Sequence, residues 1–109
     1  MIHDDTKDKA LKYLAETDEP AARARTLVKA LEDVKASILA QLYLDDTESK
    51  NQKEREMRAR CHDDFLAHLR KISDARIDYE EMHEKRNTAR VLIETWRSEN
   101  ANRRMVGPL

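Results

Sequence analysis

The 109-residue chain is 39% hydrophobic and 39% charged, which leaves too little apolar surface for a wide globular core and suits a narrow seam between helices. One Gly, two Pro, one Phe and one Trp cannot supply the turns and aromatic or β-branched runs of an antiparallel sheet, so an all-α fold is predicted as a single domain, residues 1–109. The net charge of −1 is unevenly spread: residues 1–46 carry seven Lys or Arg against ten acids, residues 47–84 eight against ten, and residues 85–109 six against two, making the C-terminal end the anion-facing region.

In chain order, residues 4–16 place Ala10, Leu11, Tyr13 and Leu14 in one short helix with an acidic first turn, as the helix dipole favours. Thr17-Asp18-Glu19-Pro20 reads as a break, since Pro20 disfavours helix at Glu19 and suits the first turn of a new helix. A second helix over residues 20–44 carries Ala24, Leu27, Leu31, Val34, Ile38 and Gln41 in alternating steps of three and four, with Val28, Leu39, Leu42 and Leu44 beside them. It is expected to be the best-buried element. The stretch from Asp45 to Lys53 holds no apolar residue and is assigned the hairpin loop, about 45–49, with Ser49 and Gln52 as the preferred capping box of the next helix.

From Thr47 to Arg104 there is neither Gly nor Pro, and one very long helix, about 49–104, is predicted. Cys61, Phe65, His68, Ile72, Ala75, Tyr79, Met82, Arg86, Ala89, Ile93 and Trp96 keep steps of four and three, the 3.5-residue period of a left-handed supercoil. His68 and Arg86 are polar on this seam and read as setting register. At about 1.5 Å per residue the long helix spans roughly 80 Å and the second about 37 Å, so a partner folding back from the loop reaches only to about Arg76. The predicted architecture is an antiparallel helical hairpin or coiled coil that forms a dimer or higher oligomer. Phe65, Ile72, Tyr79, Met82, Ala89, Ile93 and Trp96 are its expected interface. A kinked long helix packing as a three- or four-helix monomer is the alternative.

No catalytic residue, metal site, cofactor or small-molecule substrate is predicted. His83-Glu84-Lys85-Arg86-Asn87 opens like the zinc-binding His-Glu-x-x-His helix but has Asn87 where the second His is needed. Cys61 and His68 stand two turns apart, about 10 Å along one helix, too far to share an ion. Asp63-Asp64 and Glu80-Glu81 read as solvated acids, Ser73 and Ser98 have no activating base at helical spacing, and the only glycine, Gly107, builds no phosphate loop. The lone Cys61 reads as a small seam residue in a reducing compartment. No stretch approaches a membrane span and Met1-Ile2-His3-Asp4-Asp5 is unlike a targeting signal, so a cytoplasmic location is expected.

The remaining candidate is Trp96-Arg97-Ser98-Glu99-Asn100-Ala101-Asn102-Arg103-Arg104. Guanidinium and carboxamide groups suit phosphate contacts, and the indole suits stacking on an unpaired base, which marks Arg97, Asn102, Arg103 and Arg104 as candidate nucleic-acid-binding residues. A helix cap and subunit contact is the competing structural role, because Arg at a helix C-terminus is favoured by the dipole and Trp96 lies on the seam.

Ala30-Leu31-Glu32-Asp33-Val34-Lys35, the polar connection with Glu48-Ser49 and Glu54-Arg55-Glu56, and above all Ile93-Glu94-x-Trp96-Arg97-Ser98-x-x-Ala101-Asn102-Arg103 resemble small helical proteins of phages and prophages that have no assigned activity. The resemblance covers residues 20–104. It implies a setting among phage recombination and replication functions in the cytoplasm of a bacterial host, and it carries over Trp96, Arg97, Ala101, Asn102 and Arg103 as a shared signature. Near Glu84 or Lys85, where related sequences carry an aromatic, this chain is charged. The expected function is that of a non-enzymatic accessory protein whose basic C-terminal ends contact DNA or a DNA-bound phage or host protein. An adaptor or inhibitor of a host protein, without nucleic acid, is the alternative.

Overall fold

In the computed structural model, which describes residues 1–106, three helices follow one another: α1 (Asp4–Asp45), α2 (Gln52–Cys61) and α3 (Asp63–Val106). Gly107 lies outside the described residues. Among the described residues there is no strand, and no helix is long and apolar enough to cross a membrane.

The predicted break before Pro20 does not occur, because α1 runs through it as one helix of 42 residues. A proline inside a helix removes one amide donor, here the partner of the Glu16 carbonyl, and costs about 3 kcal/mol relative to Ala. Pro20 and Glu16 are both exposed, so water reaches the vacated position. The turn just before it is also held from outside, as described below. Pro20→Ala is accordingly expected to raise stability by about 1–3 kcal/mol, read as a higher urea midpoint at unchanged slope. A lower midpoint would mean that the packing requires the distortion proline imposes.

The predicted single long helix is in fact two. α2 begins at the N-cap Asn51, whose side chain accepts from Glu54 N–H at 2.8 Å, while the Glu54 carboxylate reaches back to Lys50 N–H at 3.2 Å. This Asn-x-x-Glu box displaces the expected Ser49 and Gln52 pair, and Ser49 instead bonds Asp46. α2 ends at His62, which leaves the helical region at φ −66°, ψ 139°. The His62 ring then caps α3, its Nδ1 accepting from Asp64 N–H at 3.0 Å, and Asp63 and Asp64 occupy the dipole-favoured first turn. The interruption shifts the phase. Ala59 is buried, and Cys61, expected on the seam, is exposed.

The chain divides into two compact units, one joining Met1–Ala22 to α3 from Glu80 onward and the other comprising Arg23–Tyr79. In each, the α1 segment runs antiparallel to the α3 segment: Asp4 meets Trp96 and Leu14 meets Arg86 in the first, and Leu31 meets His68 in the second. Within the first unit, Ala10, Tyr13 and Leu14 pack against Ala89, Leu92 and Ile93. Ala89 and Ile93, expected to outrun the cover their own chain supplies, are therefore packed there by α1.

From Phe65 to Trp96 the predicted seam holds throughout, with Phe65, His68, Ile72, Ala75, Arg86, Ala89 and Ile93 buried and Tyr79, Met82 and Trp96 half-buried. The second predicted helix is not the best-buried element. In the Arg23–Tyr79 unit its inner face is Ala24, Val28, Leu31, Ile38, Leu39 and Leu42, all half-buried, while Leu27, Val34 and Leu44 are exposed. The unbroken helix carries the phase of Ala10 and Leu14 forward, and that phase turns Leu27 and Val34 outward. Gln41, predicted on the stripe, is exposed and donates to Asp45.

The loop after α1 is organised by Asp46, which accepts from the N–H groups of Glu48 and Ser49 at 2.9 and 3.0 Å and from the Ser49 hydroxyl. The Ser49 hydroxyl above all, helped by the two backbone donors and the Arg58 charge, holds its carboxyl below the usual carboxylate range, against desolvation, which is the second-largest effect and opposes them. A lowered folded-state pKa contributes stability above the ordinary carboxylate range and loses it as pH falls through the lowered value. Asp46→Ala should therefore lower the urea midpoint at neutral pH, with the gap from the parent protein closing on acidification. A gap independent of pH would assign the effect to the turn's shape instead.

Candidate nucleic-acid interface

Arg97, Asn102, Arg103 and Arg104 are all exposed, and the last turn of α3 carries Arg103 and Arg104. Between Asn100 and Val106 there is no carboxylate. Chain direction explains why this end stands clear. Within its unit, α1 begins opposite Trp96, and Ile2 N–H donates to Glu99 Oε2 at 2.8 Å, so the turns of α3 beyond Glu99 continue past the start of α1. Glu99 is also 3.9 Å from the amino group of Met1, and Arg97 makes an exposed pair with Glu94 at 3.4 Å, a contact of little energy at a solvated surface.

Two members of the basic C-terminal segment are used elsewhere. Arg86 is withdrawn into the first unit, where Nη1 donates to the Leu14 carbonyl at 2.9 Å and to Thr17 Oγ1 at 2.6 Å, and Nη2 pairs with Asp18 at 2.6 Å. Thr17 in turn donates to the Tyr13 carbonyl at 2.7 Å. This clasp holds the turn of α1 directly before Pro20, so Arg86 adds nothing to an external positive surface. The Trp96 indole N–H donates to Asp4 Oδ1 at 2.8 Å, and Lys7 Nζ stands 4.5 Å from the ring centroid. From the sequence Thr17 and Asp18 read only as part of a break and Asp4 only as part of an acidic start, and neither they nor Lys7 is given a partner on α3. They lie 68 to 92 positions from their partners, and no local spacing signals such pairs.

The acidic start of α1 also changes the electrostatics. Met1–Ala22 together with α3 from Glu80 onward holds nine Lys or Arg against eleven Asp or Glu, a net −2, where residues 85–109 alone gave +4. Beside Arg97, Arg103 and Arg104, Lys85 and Arg90 are the exposed cations of this segment, and unlike the last turns of α3 they lie where the acids of the same unit offset them.

The expected interface residues divide differently. Phe65, Ile72, Ala89 and Ile93 are buried within the chain itself, and Tyr79, Met82 and Trp96 are half-buried, so a second copy docking at the first four would have to displace packing already made. His68, on the same seam, donates from Nε2 to the Leu31 carbonyl at 2.6 Å, which fixes its tautomer and ties α3 to α1 in the Arg23–Tyr79 unit. In that unit Arg76 also pairs with Glu32.

Among the described residues no group of three or more His, Cys, Asp or Glu side chains is placed to hold a metal ion. An open hollow of about 390 Å³ beside the loop is lined by Asp45, Asp46, Glu48, Arg58, His62 and Asp64. Asp46 is engaged with Ser49, Glu48 with Arg58 at 3.4 Å, and His62 with Asp64, so its polar groups serve the loop and the two helix ends that meet there. No known protein family, characterised protein or solved structure matches the chain.

Proposed function

We propose that this protein is a non-enzymatic accessory factor of phage DNA recombination or replication that acts by contact, presenting the end of α3 to DNA. The observation that carries this reading is the continuation of α3 past the start of α1, with Arg97, Asn102, Arg103 and Arg104 exposed and no acidic side chain between Asn100 and Val106. Arginine and carboxamide side chains on a projecting helix end suit phosphate contacts, which position a protein on DNA without reading sequence. The phage setting rests on the resemblance of residues 93–103. Self-association belongs to the same proposal as a means of multiplying a weak contact, and molar mass by light scattering measures it.

Binding to single- and double-stranded DNA is expected at low salt and should fall steeply as salt rises, since neutralised phosphates release counterions. Changing Arg97, Arg103 and Arg104 together to Ala should abolish the shift in a mobility assay and remove most of the salt dependence. No binding at low salt, or binding indifferent to the triple change, would overturn the reading. A second reading, an adaptor that meets another protein, is favoured by the withdrawal of Arg86 and the engagement of Trp96. It predicts a stable protein complex from which nucleic acid is absent.

A further inference from the structure

By its position in the sequence Trp96 belongs to the candidate interface, yet the first two turns of α1 lie on it. Asp4 accepts from the indole N–H, Lys7 stands over the ring, and one turn onward Glu99 accepts from Ile2 N–H. The Asp4 carboxylate holds the place that a phosphate or a base carbonyl would take at the indole N–H, and Lys7 holds the face on which a base would stack. These contacts are superficial. Asp4 is exposed, the Asp4–Trp96 hydrogen bond is open to water, Ile2, Thr6 and Lys7 are only half-buried, and the first buried residue of α1 is Ala10. A helix end held by surface contacts opens more easily than the segment behind it that packs into the core.

We infer that residues 2–7 form a displaceable cover over Trp96 that competes with single-stranded DNA for the end of α3. The inference rests on the DNA contact proposed above. Opening the cover exposes an indole next to Arg97, Arg103 and Arg104, so the cover sets the affinity for unpaired bases.

Trp96 is the chain's single tryptophan, and its fluorescence therefore reports on this site alone. Titration with oligothymidylate at low salt would compare the parent protein with Lys7→Ala, Asp4→Ala and Asp5→Ala, far-UV circular dichroism verifying equal helix content. Lys7→Ala is the sharpest arm, because losing a positive charge weakens DNA binding by electrostatics whereas losing the cover tightens it. The expected result is about fivefold tighter binding for Lys7→Ala, the size set by one surface cation–π contact, with stronger quenching of Trp96. Asp4→Ala should exceed Asp5→Ala, which removes the same charge but pairs with Lys9 rather than with Trp96. Binding by Lys7→Ala where the parent protein shows none would support the cover in its strongest form. If the parent binds, Lys7→Ala binds more weakly and the two Asp variants agree, the cover is overturned while the DNA contact stands. If no form binds, both are overturned together.

Discussion

Phe65→Ala is expected to lower the unfolding free energy by about 3–5 kcal/mol, the range for deleting a buried aromatic side chain. Phe65 is 6% exposed and is the first seam residue after the interruption at His62. A helical chain of this size has a total stability on the order of 5–15 kcal/mol, so the change removes a large share of it. A narrow seam of two helices collapses around a void, or admits water, more readily than a thick core, and this favours the lower part of the range. Leu66→Ala is the matched control. Its neighbouring side chain is 37% exposed and should cost about 1 kcal/mol or less. Urea denaturation of the two variants decides the matter. Equal losses would mean that the seam after His62 is not the buried face.

Arg86→Ala should cost about 2–4 kcal/mol, and Arg86→Met about 1 kcal/mol. The Arg86 side chain is 10% exposed, so truncation to Ala removes both its packed stem and its three polar contacts. Asp18, by contrast, keeps 71% of its side-chain surface in water, and its carboxylate is hydrated when the guanidinium leaves. The loss therefore stays below that of a wholly buried ion pair, whose surviving charge is stranded. The Leu14 carbonyl still has its helical donor. Met fills most of the stem's volume and leaves few polar groups without partners, so the two variants should separate clearly in thermal or urea melts. Equal losses for Met and Ala would assign the energy to the hydrogen bonds, making the clasp before Pro20 indispensable to α1.

The clasp also bears on the function. A count along the chain places Arg86 in the +4 segment, but its guanidinium is spent on α1, and Trp96 is likewise engaged by Asp4 and Lys7. The surface left for a polyanion is smaller than the linear charge pattern implies. In the DNA contact proposed above, the few Arg at the last turns of α3 make binding weak, and its salt slope is set by the few counterions those Arg release.

The all-helical class, the 3.5-residue seam from Phe65 to Trp96, the polar loop, and the basic end at Arg97, Arg103 and Arg104 follow from the residues read in order. Each of these is a matter of local composition or of spacing along one helix, which a linear pattern records directly. The Asn51-x-x-Glu54 cap and the acid pair Asp63-Asp64 behind His62 are local signals as well, and they end one helix and start the next without any proline or glycine. That Pro20 does not end α1 is a matter of packing, because the cost of one missing hydrogen bond is offset by the burial of Ala10, Tyr13 and Leu14 and by the Arg86 clasp. The continuous helix also sets the phase that turns Leu27 and Val34 outward, and packing of α1 on α3 covers Ala89 and Ile93 and lays Asp4 and Lys7 on Trp96. Contacts between residues many tens of positions apart depend on how two helices meet, and no spacing within either one encodes them.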